Sequence, residues 1–198
     1  MRLNLIEHLL INNPIRPVVQ QWLEAPQLLR MGGQVNNARV LEIGCGTGAG
    51  IDLIFSLFGA GEVDAFDLNP MAVGQALRRL DHEARPVRLW AGNVRQIPVA
   101  SERYDAVFGF GVLHHVHRWR EALAEIRRVL KPGGRFYCEE ITKYFITHPL
   151  VNRILVHPQE DRFDGAELSR ALEQNGFIVR SIAERFNLYA WIIADKPD

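Results

Sequence analysis

The sequence lacks several features that would each point to a particular class of protein. It has only two cysteines, Cys45 and Cys138, which form neither a zinc motif nor a disulfide framework. No run of about eighteen apolar residues marks a membrane span, and no signal peptide is recognisable. These absences predict a soluble cytoplasmic protein without a structural metal.

The charge balance excludes a further class. The chain has 23 lysines and arginines against 23 aspartates and glutamates, so its formal net charge is zero. A nucleic-acid-binding surface needs an excess of positive charge, so nucleic acid is not the expected partner. With 198 residues, 47% of them hydrophobic, the chain can bury the core of one domain spanning residues 1–198.

The most informative stretch is a strand, a turn and a helix start in residues 39–49. The apolar run Val40–Ile43 ends at Gly44, Gly46 and Gly48, and a helix-compatible segment follows. Glycines allow positive φ or the close approach of a ligand, and a helix N-terminus presents free N–H groups. About nineteen residues after Gly48, a second apolar strand ends at Asp67, which can accept hydrogen bonds from a ribose diol. These residues predict a nucleoside-binding half-site.

Two kinds of ligand are compatible with this half-site. Gly44, Gly46 and Ala49 also match the dinucleotide pattern G-x-G-x-x-G/A. Glu42 precedes the first glycine by two residues and instead favours a ligand with a cationic group. Asn69 and Pro70 then provide a cap and a first position for the next helix.

The stretch resembles the first motif of the class I S-adenosylmethionine-dependent methyltransferases, E/D-x-G-x-G-x-G. Leu113-His114-His115 resembles the Leu-His-His that often follows the fourth strand of small-molecule methyltransferases, and Arg128–Gly134 reads RVLKPGG, also typical of the family. The runs typical of nucleic-acid methylation and the acid of magnesium-dependent catechol-type enzymes are missing after the fourth strand. What remains resembles the group of ubiquinone/menaquinone-biosynthesis-like enzymes.

The resemblance implies a Rossmann-like, seven-stranded, mostly parallel sheet with helices on both faces and an antiparallel last strand. Phe177–Ala183 and Leu188–Ala194 are closely spaced strands and predict a hairpin. The helix rich in apolar residues that begins at Arg118 is expected to end at Leu130, and the fifth strand to begin at Arg135.

The resemblance also implies S-adenosyl-L-methionine as cofactor. Glu42 would bind its amino-acid tail and Asp67 its ribose, while Asn93 would accept from the adenine amine in place of the family's usual acid. Further cofactor-binding positions are expected in the glycine turn, beside the adenine and opposite the sulfur: Gly44, Cys45, Gly46, Gly48, Leu68, Val94 and Phe110.

The expected chemistry is in-line O-, C- or N-methylation of a small, apolar acceptor by a monomer or homodimer. If the acceptor must lose a proton, His115, His114 or Glu140 could act as base, although each could equally serve packing or capping. No metal is expected, because no cysteine or close carboxylate completes a site with His117. Three alternatives remain. A nicotinamide-dependent reductase is disfavoured by the lack of Tyr-x-x-x-Lys, and a non-catalytic S-adenosylmethionine-binding partner in a complex is the second. The third, a pure interaction module, would leave Glu42, Asp67 and the glycine turn without a purpose.

Two segments carry apolar surface outside the strand–helix alternation. The helical appendage, residues 1–37, precedes the cofactor-binding core at residues 38–194, and the insertion at residues 142–163 interrupts that core. We expect them to form a lid over the carboxyl edge of the sheet, closing a pocket lined by Tyr144 and Phe145 with His115 at its floor. The alternative for the appendage is a helix that only packs against the core.

Overall fold

The computed structural model describes residues 20–80, 85–146 and 161–198. The strands in this part of the chain are β1 (Arg39–Ile43), β2 (Glu62–Asp67), β3 (Val87–Ala91), β4 (Tyr104–Phe110), β5 (Leu130–Ile141), β6 (Ile178–Arg185) and β7 (Tyr189–Asp195). A π-helical turn at Gln20–Glu24 leads into the helices, which are α1 (Ala25–Gly32), α2 (Ala49–Ser56), α3 (Pro70–Leu80), α4 (Trp119–Val129), α5 (Lys143–Ile146) and α6 (Gly165–Gln174).

The strands form one seven-stranded sheet in the order β3-β2-β1-β4-β5-β7-β6. β7 runs antiparallel to both of its neighbours, whereas the pairs from β3 to β5 are parallel. The β6–β7 hairpin turns at Phe186 and Asn187, both with positive φ, and Leu188 donates its N–H to the Arg185 carbonyl at 2.9 Å. The predicted fold class and hairpin are confirmed.

Apolar side chains cover both faces of the sheet. On one face, α4 and α6 contribute Trp119, Leu123 and Leu168 to a fully buried cluster. On the other face, Leu28 of α1 and Ile54 of α2 belong to a second cluster. Because both faces are covered in the described part of the chain, the central strands β1 and β4 are buried along almost their whole length. Among the described residues, no helix combines the length and hydrophobicity required to cross a membrane.

The described part of the predicted lid is instead a packing helix. Ala25 and Leu28 of α1 are fully buried, and α1 contacts β5 and β7. At its end, the Gly32 carbonyl accepts from Arg135 Nη1 at 2.7 Å and from the Tyr137 hydroxyl at 2.9 Å. α1 therefore ends beside the first half of β5, away from the carboxyl edge, because β5 and β7 present an apolar surface that it covers. Residues 1–19 and 147–160, the remaining parts of the predicted lid, lie outside the described residues.

The boundary between α4 and β5 differs from the prediction. β5 begins at Leu130, directly after the helix, and Leu130 already pairs with Tyr104 of β4. The register then shifts before Ala106 pairs with Arg135, so the turn-forming residues between them belong to an irregular strand. Long-range pairing with β4 overrides the local proline and glycine signal here.

Candidate cofactor and acceptor site

The glycine turn after β1 takes the predicted left-handed conformation. Gly44, Gly46 and Gly48 have φ of 65°, 52° and 87°. A Cβ on Gly44 would lie 2.6 Å from Val112 Cγ2, so packing requires a glycine there. A Cβ on Gly46 would meet nothing within 4 Å. Gly46 therefore faces open space, in which a ligand can approach the backbone closely.

Glu42 lies near the end of β1 and is 2% exposed. Its Oε2 atom has no hydrogen-bond partner among the described residues, and a Cβ on Gly50 would overlap its carboxylate. Burial, followed by the charges of Asp67 and Asp52, raises the pKa of Glu42 to about 8. A buried carboxyl group without a partner is costly, and a cationic ligand group would supply the missing partner.

Asp67 connects the glycine turn to the turn that follows β2. Its Oδ2 accepts from the Gly46 N–H at 2.9 Å and its Oδ1 from the Asn69 N–H at 2.8 Å. Asn69 Oδ1 in turn accepts from the Met71 N–H at 3.0 Å, as a cap for α3 does. Each Asp67 oxygen keeps further acceptor capacity for a ribose hydroxyl. Leu68, expected against the adenine, is 71% exposed beside it.

The remaining predicted cofactor contacts differ in their accessibility. Asn93 Oδ1 accepts from the Arg95 N–H at 3.0 Å, so one lone pair of the oxygen assigned to the adenine amine already serves a turn. Val94, Phe110 and Cys45 are all buried, at 6%, 8% and 5% exposure. Phe110 borders Gly50 and hence the Glu42 carboxylate. These assignments stay predictions.

Glu140 holds the turn that follows β4. Its Oε1 accepts from the Val112 and Leu113 N–H groups at 3.0 and 2.7 Å, and its Oε2 accepts from the His114 N–H at 3.3 Å. His114 Nδ1 also lies 2.8 Å from Oε2. Glu140 is completely buried, and burial raises its pKa to about 7 against the opposing effect of the backbone donors. These donors indicate that the carboxylate holds the turn, and its proposed role as a base stays a prediction.

The predicted histidines are not equivalent. The His114 side chain is 4% exposed and lies against Glu140, whereas His115 is exposed, with its ring centroid 4.0 Å from that of His114. His117 is exposed as well. No cluster of three metal-ligating side chains occurs within residues 20–80, 85–146 and 161–198. Of the three candidate bases, His115 is the most exposed, and its catalytic role stays a prediction.

Sequence analysis missed Arg162. Its three guanidinium nitrogens are buried, and none has a hydrogen-bond partner among the described residues. It adjoins a cavity of about 10 Å³ at the carboxyl end of β5, which is lined by His114, Ile141, Lys143, Asp161, Arg162 and Phe163. No motif surrounds Arg162 in the sequence, so only its three-dimensional surroundings single it out.

The site fits a nucleoside ligand with a cationic tail. Glu42 Oε2 has no hydrogen-bond partner in the described part of the chain, Gly46 leaves room beside the backbone, and Asp67 ends the neighbouring strand with spare acceptors. All three lie at the carboxyl edge of adjacent parallel strands, where open α/β sheets bind their ligands.

The chain is similar to known methyltransferases in sequence and structure. A family model described as a methyltransferase domain matches residues 41–138. The fatty-acid O-methyltransferase of Mycolicibacterium smegmatis is 30% identical over 156 residues, covering 76% of this chain and 56% of that protein. The ubiquinone/menaquinone biosynthesis C-methyltransferase UbiE of Methylobacterium nodulans is 38% identical over 111 residues, covering 52% and 42%. The chain spans about half the length of the curated relatives it matches.

The fold recurs in solved structures. A putative methyltransferase in complex with the Haloferax volcanii Trm112 methyltransferase activator superposes with a TM-score of 0.80 at 17% sequence identity, over 100% of both chains. The family model and the sequence relatives support a class I S-adenosylmethionine-dependent methyltransferase of the UbiE-like group. S-adenosyl-L-methionine is the cofactor that these methyltransferase relatives imply.

Proposed function

We propose that this protein transfers a methyl group from S-adenosylmethionine to a small, largely apolar acceptor. The buried, unpartnered carboxyl group of Glu42 beside the open glycine turn carries the proposal. The amino-acid tail of S-adenosylmethionine has an ammonium that can donate hydrogen bonds to this carboxyl, whereas the positively charged ring nitrogen of NAD(P)+ has no N–H to donate. Two relatives, a fatty-acid O-methyltransferase and a ubiquinone/menaquinone biosynthesis C-methyltransferase, support an apolar acceptor.

The cofactor supplies a sulfonium methyl that is already activated, so the protein's task is to bind, orient and exclude water. Glu42 would hold the ammonium of the tail and Asp67 the ribose hydroxyls. Gly46 leaves the space that lets the ligand lie against the backbone. Phe110 borders Glu42 and would close the site from the side of β4.

Glu140 and His115 take different roles in this proposal. Glu140 is a positioning residue, because both of its oxygens hold the turn from Val112 to His114. His115 is the exposed candidate for proton removal if the acceptor is a hydroxyl or an acidic carbon. His114 is fixed by Glu140 and would form a wall beside the acceptor.

Ligand-induced stabilisation tests the cofactor. S-adenosylhomocysteine at about one hundred times its dissociation constant should stabilise the protein by about 2.7 kcal/mol, and NAD(P) should not. Asp67→Ala should remove most of this shift, because it removes the ribose acceptor and the link to Gly46. A melting-temperature titration measures both. Equal stabilisation of Asp67→Ala and wild type would contradict the assignment.

Chelation tests the independence from metal. The described residues hold no metal-binding cluster, so a metal should not be needed to position the acceptor. Methyl transfer should keep its rate in EDTA, as followed by S-adenosylhomocysteine release. Loss of the rate in EDTA with recovery on adding magnesium or zinc would refute this prediction.

A further inference from the structure

The Arg162 guanidinium is buried and has no counter-charge among the described residues. All three of its guanidinium nitrogens are shielded from solvent and lack hydrogen-bond partners among the described residues. Burial lowers its pKa, with no opposing acidic group. Arginine presents a planar fork of donors that matches a carboxylate, and leaving it unpaired in the interior is costly. Such an arrangement is expected where a ligand completes the pair.

The backbone around Arg162 is held firmly in place. The Trp119 indole donates to the Asp161 carbonyl at 2.8 Å, and the Trp119 and Phe163 ring centroids are 4.6 Å apart. The Lys143 N–H donates to the Phe163 carbonyl at 2.9 Å, which ties this segment to the chain just after β5. Arg162 is therefore positioned by contacts on both sides, as a preorganised binding group must be.

The carboxylates near the cavity pair with other cations. Lys143 bridges Asp164 at 2.8 Å and Glu167 at 3.0 Å. Asp161 pairs with Arg120. Among the described residues, none of these carboxylates pairs with Arg162, whose planar fork of donors matches the two oxygens of a carboxylate.

The cavity also limits what can enter. Its volume of about 10 Å³ accommodates roughly one water-sized atom. His114 and Ile141 form part of its wall, which places it at the carboxyl edge of the sheet, next to the turn after β4. One oxygen of a ligand fits there, with the remainder of the ligand directed outward along that edge.

We propose that the methyl acceptor carries a carboxylate and that Arg162 binds it, with one carboxylate oxygen in the cavity beside His114. This inference rests on the proposed methyltransferase function. The second oxygen forms the new O–CH₃ bond while the sulfonium S–CH₃ bond breaks, which yields a methyl ester and a thioether. The negative carboxylate and the positive sulfonium become neutral together, so no proton leaves and no base is required. The full engagement of Glu140 and His114 with each other is consistent with this step.

Calorimetric titration of the full chain, with and without saturating S-adenosylhomocysteine, tests the proposal. The probes are dodecanoate, dodecyl phosphate and dodecanol, which share one chain and differ in the head group. Wild type should bind dodecanoate at least tenfold more tightly than either of the others. Arg162→Gln should weaken dodecanoate binding by this tenfold difference, about 1.4 kcal/mol. Its affinity for dodecanol should be unchanged. Arg170→Gln, an exposed arginine on α6, should bind all three probes as wild type does.

Two further measurements separate the possible outcomes. Arg162→Gln should raise the melting temperature of the ligand-free protein, because it removes an unpaired buried charge; a large decrease would reveal a protein partner and overturn the proposal. Equal dodecanoate affinity in Arg162→Gln and wild type, or an Arg162-dependent preference for dodecyl phosphate, would also overturn it. Failure of wild type to bind S-adenosylhomocysteine would instead overturn the proposed function, and dodecanoate binding measured without it would still report on Arg162.

Discussion

Replacing Glu42 by glutamine is expected to weaken S-adenosylhomocysteine binding by about tenfold or more and to stabilise the ligand-free protein at alkaline pH. The carboxylate would pair with the ammonium of the ligand, whereas an amide can offer it only a neutral oxygen. Without ligand, the carboxylate is buried and its Oε2 has no partner among the described residues. Burying a neutral amide costs less free energy than burying this charge, so the ligand-free variant should be more stable. Calorimetry and thermal unfolding of both proteins measure the two opposite effects.

The pH dependence follows from the pKa of Glu42, which burial raises from 4.5 to about 8 in the folded protein. Below pH 4.5 the carboxyl is protonated in both states, so glutamine should change stability little. Between pH 4.5 and 8 the unfolded chain has released the proton that the folded protein retains, so the stability of wild type falls as pH rises. At pH 9, Glu42→Gln should therefore be more stable by on the order of 2–4 kcal/mol. Near pH 7, ligand binding to wild type should release up to about one proton, and binding to the variant none.

Glu62→Gln is the matched control. Glu62 Oε1 lies 3.1 Å from Arg39 Nε at the start of β2, far along the strand from Asp67, so this variant should lose a little stability and keep its S-adenosylhomocysteine affinity. Stabilisation of Glu62→Gln at pH 9, or unchanged ligand affinity in Glu42→Gln, would show that the unpartnered carboxyl of Glu42 is not the ammonium site.

Replacing Glu140 by alanine is expected to disorder the turn after β4 and to lower the free energy of unfolding by about 3–5 kcal/mol. The variant leaves the N–H groups of Val112, Leu113 and His114 without the acceptor they share, and it frees the His114 ring. Hydrogen exchange of these three amides should accelerate by about 100-fold more than that of the β1 amides, because the turn opens locally. Amide exchange measured by mass spectrometry or NMR needs no acceptor and therefore reports on positioning alone.

A conservative variant and a surface control sharpen this test. Glu140→Gln keeps one oxygen for the Val112 and Leu113 donors. Its free energy of unfolding should therefore fall by roughly half as much as that of Glu140→Ala. Glu121→Ala removes a 47% exposed carboxylate of α4 that contacts Arg118, and should change stability by less than about 0.5 kcal/mol. Unchanged exchange at residues 112–114 in Glu140→Ala would mean that this carboxylate does not hold the turn.

Local signals explain why part of the site could be predicted. Gly44, Gly46 and Gly48 were recognisable because the left-handed backbone of a tight turn favours a residue without a Cβ. Asn69 was recognisable as a cap because its oxygen bonds an N–H two residues along the chain. The hairpin and the parallel strands followed from short apolar runs and from the resemblance to methyltransferases.

Contacts between distant parts of the chain decided the rest. Glu140 looked like a candidate base until the fold placed it against three N–H groups from 26 to 28 residues earlier. The lid predicted from the first helices became, over Ala25–Gly32, a helix packed on β5 and β7, because an apolar stripe does not reveal which surface it will cover.

The sequence by itself determined the short apolar strands, the glycine turn and the position of Asp67, because strand periodicity, positive φ and helix capping depend on neighbouring residues. The seven-stranded arrangement of these strands was implied by the resemblance to methyltransferases. Only the tertiary structure showed that Glu42 Oε2 and the Arg162 guanidinium are buried without a hydrogen-bond partner among the described residues, and that Glu140 accepts from the N–H groups of the turn after β4. The physical reason is that solvent exposure and hydrogen-bond partners are set by residues far apart in the chain, and the charge state and chemistry of a side chain depend on both.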